Sequence, residues 1–234
     1  EVDPTFIRVK WPTYPLAELI RRVGRGGHAL ERACVSMITH PRALDDSVTV
    51  LRRLREGTDL LLSALITPTV VKGAEQLARL REAGADMMSV AVDGATEAVF
   101  RTHRGGAGLL SWDHYWRTLV QGVEVFGRGK VGVHLIVGLG ETEEEMITCI
   151  QQAQDLGVGT HLFSFFPEAG SRLQGHPQPP IGQYRRVQLA RYIINQGVGR
   201  RDAMSFNAAG QVVDFGVDIE PLLASGEAFE TSGC

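Results

Sequence analysis

Val131-Gly132-Val133-His134-Leu135-Ile136-Val137-Gly138-Leu139-Gly140-Glu141 reads as a buried strand running into a tight glycine turn. Thr142 can cap the helix that follows over 143–156, whose first turn is crowded with acidic residues as the macrodipole favours. A second strand reads at 160–166. Strand, helix and strand at this pitch make a right-handed βαβ unit, the building block of a parallel sheet.

The same alternation extends outward in both directions. Upstream lie a helix over 15–23, closed by the glycines of 24–27, and a strand over 33–38. A helix over 45–55 carries an apolar stripe at Val48, Leu51 and Leu54, and a strand over 60–66 is stopped by Thr67-Pro68. A helix over 70–83 places Leu77 and Leu80 inward, and a strand over 87–92 ends in Asp93-Gly94. A short helix over 96–103, the loop Arg104-Gly105-Gly106-Ala107-Gly108 and a helix over 111–126 complete that half. Downstream lies a helix over 183–195, and 203–207 with 211–215 suit a final strand or hairpin. The pattern implies one α/β domain with five parallel strands and one or two more near the C-terminus. It fits a doubly wound sheet or a partial or complete (β/α) barrel. In either, chemistry gathers at the C-terminal ends of the strands.

Composition removes several function classes. The 234 residues are 44% hydrophobic and 22% charged, typical of a globular chain with a sizeable core. A formal net charge of -3 gives no support to a nucleic-acid or membrane-surface partner. No apolar run approaches the roughly 20 residues of a spanning helix, and 1–15 show no secretory signal. Cys34, Cys149 and Cys234 lie far apart with no CxxC pair, which suits a reducing cytoplasm and small hydrophobic roles.

The strand ends hold the residues with chemistry. Asp93 can accept hydrogen bonds from a sugar diol or cap the next helix. The turn at 138–141 would let a flat ligand approach the backbone, or is a plain tight turn; it is neither GxGxxG nor a Walker loop. Phe165-Phe166-Pro167 could face an adenine ring or belong to the core. Arg101 and Arg104 suit a carboxylate or phosphate, or are solvated. No HExxH and no GxSxG occurs, which disfavours a zinc hydrolase and an α/β-hydrolase. Residues 142–145 read as a solvated helix start.

Taken together, these pieces resemble the radical S-adenosylmethionine (SAM) superfamily, and its biotin synthase and lipoyl synthase branch most of all. The stretch from His134 to Thr142 is similar to a strand motif of that superfamily, roughly GxIxGxxE, that lies along the adenosyl group. Ile136, Gly138 and Glu141 match it, Gly140 completes the turn, and His134 replaces the leading glycine. The resemblance implies that Asp93 holds the ribose hydroxyls, that the backbone of Phe165, Phe166 and Pro167 reads the adenine edge, and that Arg104 meets the SAM carboxylate. It covers about residues 30–200.

The departures matter as much. The superfamily's CxxxCxxC loop, which holds a [4Fe–4S] cluster, is absent from this sequence. The loop and the first barrel strand would lie upstream of Glu1. Cys34 aligns with a biotin synthase cluster ligand whose partners here are Ser63 and Gly132, so that [2Fe–2S] cluster is not expected and Cys34 becomes a core residue. The tail Phe229-Glu230-Thr231-Ser232-Gly233-Cys234 is similar to that of two-component lipoyl synthases, which makes Cys234 a candidate ligand of an auxiliary [4Fe–4S] cluster. The expectation is therefore a barrel core over 1–215, of the radical SAM type and lacking its first strand and cluster loop, with a tail over 216–234. The implied activity cleaves SAM to a 5′-deoxyadenosyl radical and inserts sulfur into an octanoyl chain. The implied partners are a lipoyl-carrier protein or octanoyl-lysine peptide, a partner radical SAM subunit, and a donor such as ferredoxin or flavodoxin. The alternatives are a radical SAM rearrangement or ring formation in cofactor biosynthesis, and a non-catalytic nucleotide-binding barrel.

Overall fold

The computed structural model describes residues 12–26, 30–105 and 107–230. Five parallel strands form one sheet: β1 (Arg32–Ser36), β2 (Leu61–Ile66), β3 (Met87–Asp93), β4 (Val131–Val137) and β5 (Val158–Ser164). Their order in space is their order in sequence. A doubly wound sheet needs a reversal of strand order, and none occurs among the described residues. The structure thus decides between the two architectures in favour of an open arc of a (β/α) barrel.

The helices are α1 (Leu16–Gly26), α2 (Ala43–Gly57), α3 (Ala74–Glu82), α4 (Glu97–Arg104), α5 (Trp112–Phe126), α6 (Glu143–Leu156), α7 (Ile181–Asn195) and α8 (Glu220–Ser225). Successive side chains on a strand alternate between faces. One face presents Leu62, Ala64, Met88, Val90, Val131, Val133 and Leu135, all at most 1% exposed. Helix α5 presses on it at Gly122, where a Cβ would lie 2.7 Å from the Met88 sulfur. The other face carries Cys34 in register with Ser63, Ser89 with Gly132, His134 with His161, and Ile136 with Phe163. This polar inner face is the hollow side of the arc.

Several expectations shift. The helix expected from 70 starts at Ala74, because Val70 and Val71 donate to the Thr67 carbonyl and close a turn there. The last strand starts at Val158, directly after the glycine that ends α6. The hairpin near the C-terminus is real but small: β6 (Ser205–Phe206) pairs antiparallel with β7 (Val212–Asp214), apart from the main sheet.

Residues 142–145 are a solvated helix start only in part. Thr142 and Glu145 form a capping box, but Glu143 turns inward and is only 5% exposed. It accepts a forked pair of hydrogen bonds from Arg186 (Nη2 to Oε1 2.6 Å, Nε to Oε2 3.0 Å) and one from the Val212 N–H (3.0 Å). This carboxylate joins α6, α7 and the hairpin, and the bond to Glu143 raises the pKa of Arg186. Beyond the hairpin, Tyr192 donates to Glu227 (2.6 Å) and Ala228 is fully buried, so 216–230 packs back along α7.

Candidate functional site

Asp93 ends β3 in an unusual conformation. Its φ is +66°, and the Gly94 N–H donates to the Val92 carbonyl across it (2.9 Å). That is a γ-turn centred on a residue with a side chain, a strained arrangement that aspartate tolerates better than most. Helix α4 then runs eight residues, capped by Thr96, whose hydroxyl accepts from the Val99 N–H (3.2 Å). Its length returns Arg104 to the strand end. Arg104 donates to Asp93 Oδ2 through Nε (2.8 Å) and again through Nη2, and its guanidinium lies 5.8 Å from the Tyr115 ring centroid. The pair is partly buried. Two residues singled out separately are thus one unit: Arg104 orients the Asp93 carboxylate.

The β4 turn is tied on all sides. Glu141, 6% exposed, accepts from the Gly138 N–H (2.7 Å) and the Leu139 N–H (2.9 Å). Burial pushes its carboxyl above the ordinary value, and those backbone bonds oppose the rise. The two carbonyls are held from elsewhere. His176 Nε2 donates to the Gly138 oxygen (2.8 Å) and His103 Nε2 to the Leu139 oxygen (3.0 Å). Pro179 lies against Gly138, and the backbone φ there is +101°. With the N–H and C=O groups of Gly138 and Leu139 used internally, that part of the turn offers a ligand a surface for close van der Waals approach. Gly140 has open space beside its Cα.

On the β5 side, the Phe165 N–H donates to the Val137 carbonyl (2.9 Å), continuing the ladder past the strand. Phe165 is buried, with the His176 ring edge-on at 5.0 Å, and Phe166 is exposed. Phe165 is therefore a packing residue, and Phe166 and Pro167 form the rim. Ile136 lies on the inner face beside Phe163. Asp93, Ile136, the turn at 138–141 and 165–167 all sit at the ends of the adjacent strands β3, β4 and β5.

His103 and His176 were not singled out from sequence. One lies beside Arg104 at a helix end; the other lies in a Pro-rich connection with no periodic signal. Cys34 departs from expectation: it is exposed on β1, not in the core. Its inner-face neighbour Ser63 accepts from Arg32 Nη1 (3.1 Å). Cys149 is buried and its thiol is pushed up to about 12 by burial, which suits a packing role. Cys234 lies outside the described residues, as do Gly106 and the residues before 12. Among the described residues, no three His, Cys, Asp or Glu are placed to hold a metal ion. No helix among them is long and apolar enough to cross a membrane.

No protein-family model matches the chain, and no curated protein sequence matches it. Solved structures do match in fold. HydG, a maturase of the FeFe-hydrogenase, aligns with a TM-score of 0.64 at 13% identity over 80% of this chain and 44% of its own. Methylornithine synthase (PylB) aligns with a TM-score of 0.58 at 15% identity, over 87% of this chain and 67% of that one. HydG from Carboxydothermus hydrogenoformans gives 0.57 at 13% identity, over 81% and 46%. The chain spans less than half the length of either HydG. At these identities the likeness is one of fold, and it does not single out the lipoyl synthase branch. The chain shares with these structures an α/β fold, in which five parallel strands form an open arc of a (β/α) barrel.

Proposed function

We propose that this chain forms most of the barrel of a radical SAM enzyme and binds SAM across the ends of β3, β4 and β5. One observation carries the reading: Asp93, the turn at 138–141 and 165–167 converge at three neighbouring strand ends. The residues fit an adenosine. Asp93, aimed by Arg104, would accept from the ribose hydroxyls. Ile136 and the turn would lie along the purine, and the backbone of 165–167 would read its edge. Glu141, His103 and His176 hold the turn still. Arg104 is engaged with Asp93, so its part is to position the carboxylate before it meets any SAM carboxylate.

When bound, SAM and a reduced [4Fe–4S] cluster supply a radical that takes hydrogen from an unactivated C–H bond. The described residues contain no ligand set for that cluster. The described residues account for the SAM side of the site alone. The finer reading, sulfur insertion into an octanoyl chain on a carrier lysine, is supported by the similarity of the tail that ends at Cys234. It would involve an auxiliary cluster, a partner subunit and a ferredoxin or flavodoxin donor. A rearrangement or ring formation in cofactor biosynthesis fits about equally, since the likeness in fold favours neither reaction.

The test is anaerobic reconstitution of the full-length protein, reduction, and incubation with SAM. The expected products are 5′-deoxyadenosine and methionine. A cluster-loaded protein that neither binds nor cleaves SAM refutes the reading. Adding an octanoyl-lysine carrier peptide then separates the two finer readings by whether a lipoyl product forms.

A further inference from the structure

The inner face of the sheet is built unlike the interior of a packed barrel, which bulky branched side chains ordinarily fill in layers. Its lower positions hold Cys34, Ser63, Ser89, Gly132 and Gly159. Ser89 Oγ and His161 Nε2 lean over Gly132, at 2.7 and 2.8 Å from where a Cβ would stand. A Cβ at Gly159 would meet only the Val131 carbonyl oxygen, at 3.9 Å. His134 Nε2 is sealed from solvent, without a partner among the described residues, and takes no part. The described residues thus leave the hollow side lined with small polar groups.

No carboxylate stands on this face of the described strands below Asp93, but one guanidinium does. Arg32 opens β1 in register with Leu61, and its Nη1 donates to the Ser63 Oγ (3.1 Å). The side chain therefore lies along the face toward the strand ends, partly buried. That bond uses one of five guanidinium N–H groups, and Arg32 forms no ion pair with any described residue. Cys34 and Leu61 beside it are exposed, Leu61 by 47%, so the face is open at this point. A guanidinium held by a hydroxyl, with no carboxylate facing it, suits an anion that offers two oxygens to its planar fork.

We propose that Arg32 binds a carboxylate or phosphate at one end of an elongated polar substrate lying along the hollow. Ser63 is in register with Met87, six residues below Asp93 on β3, or about 20 Å of strand. The anion is thus the end of the substrate remote from the reacting carbon. The inference rests on the reading of the strand ends as the SAM side of the site, and it names a charged substrate class in place of a hydrocarbon amide.

Cys34, exposed and two residues from Arg32 on the same face, serves as reporter. In the full-length, cluster-loaded protein, alkylation of Cys34 is timed anaerobically by peptide mass mapping, with iodoacetate and with iodoacetamide. The thiolate displaces iodide from both reagents, so the ratio of their rates cancels thiolate fraction and access and leaves the reagent's charge. Arg32→Gln should lower the iodoacetate-to-iodoacetamide ratio about fivefold. Arg32→Lys keeps the charge and should stay within about twofold of the wild type. Ser63→Ala, which frees the guanidinium from the face, should also lower the ratio and serves if Arg32→Gln does not fold. Saturable protection of Cys34 from iodoacetamide by glutarate identifies a carboxylate, and protection by inorganic phosphate identifies a phosphate. An unchanged ratio in Arg32→Gln, protection by neither anion, or a Cys34 that neither reagent reaches overturns the inference. SAM titration of the same samples reports on the strand-end reading separately, because Arg32 lies outside that set of residues.

Discussion

Replacing Gly138 by alanine should damage the protein far more than the same change at Gly140, two residues along the same turn. Both positions hold a left-handed backbone, with φ of +101° and +119°. A side chain there costs about 1–2 kcal/mol at either position. Space separates them. A Cβ at 138 would lie 2.7, 2.8 and 2.9 Å from three ring carbons of Pro179, whereas at 140 nothing lies within 4 Å. A proline ring cannot rotate out of the way, so the connection carrying it must move. Overpacking of this kind costs about 1–3 kcal/mol. The movement would also pull His176 from the Gly138 carbonyl, now 2.8 Å away, for about 1 kcal/mol more. Gly138→Ala should therefore lose about 4 kcal/mol and Gly140→Ala about 1.5 kcal/mol. Urea denaturation of the full-length chain, followed by circular dichroism, measures the difference. With a slope of about 2–3 kcal/mol per molar urea, the two midpoints should differ by about 1 M. Coincident midpoints would refute the reasoning, because they would mean that Pro179 does not constrain the turn.

Three further outcomes are expected. Asp93→Asn should weaken SAM binding roughly tenfold, since a neutral acceptor replaces a charged one. Asparagine tolerates the left-handed backbone, and losing the partly exposed pair with Arg104 should cost about 1 kcal/mol of stability; unchanged affinity by calorimetry discards the ribose assignment. Burial lifts the folded pKa of Glu141 above its ordinary value of 4.5, so its contribution to stability is full below that value and is lost as pH rises through the lifted one. Glu141→Gln should remove that decline from a series of urea midpoints across the window, and an identical pH slope in the variant would contradict the burial argument. In the native protein, iodoacetamide should label Cys34 well before Cys149, because one thiol is exposed while the other is buried and pushed up to about 12. Peptide mass mapping reads this directly, and equal labelling would show that the burial assigned to Cys149 is wrong.

Much of the architecture is legible in the chain because its signals are local. Thr142 and Glu145 form their capping box within one turn, and β4 needs only its own run of apolar residues to be read as a strand. Asp93 and the turn at 138–141 stand out for the same reason: a polar or glycine residue directly after such a run marks a strand end. The polar links between them are not local. His176 reaches Gly138 from 38 positions away, and Arg186 reaches Glu143 from 43. Nothing in the neighbourhood of either partner announces the other. Cys34 misleads because a strand with one open face reads the same from sequence as one with two covered faces.

By itself, then, the sequence determined that strands and helices alternate, where those from α1 to α7 begin and end to within a few residues, and which residues stand at the strand ends, while α8 went unread. Periodicity and capping act over one or two turns, so they survive without the fold. Only the tertiary structure decided that the sheet is an open arc with strands in sequential order. The same alternation feeds either topology, and the direction of each crossover depends on contacts between distant segments. Only the structure joined Asp93 to Arg104, clamped the β4 turn between His103 and His176, and buried His134 without a partner, because each of these depends on how separate elements pack.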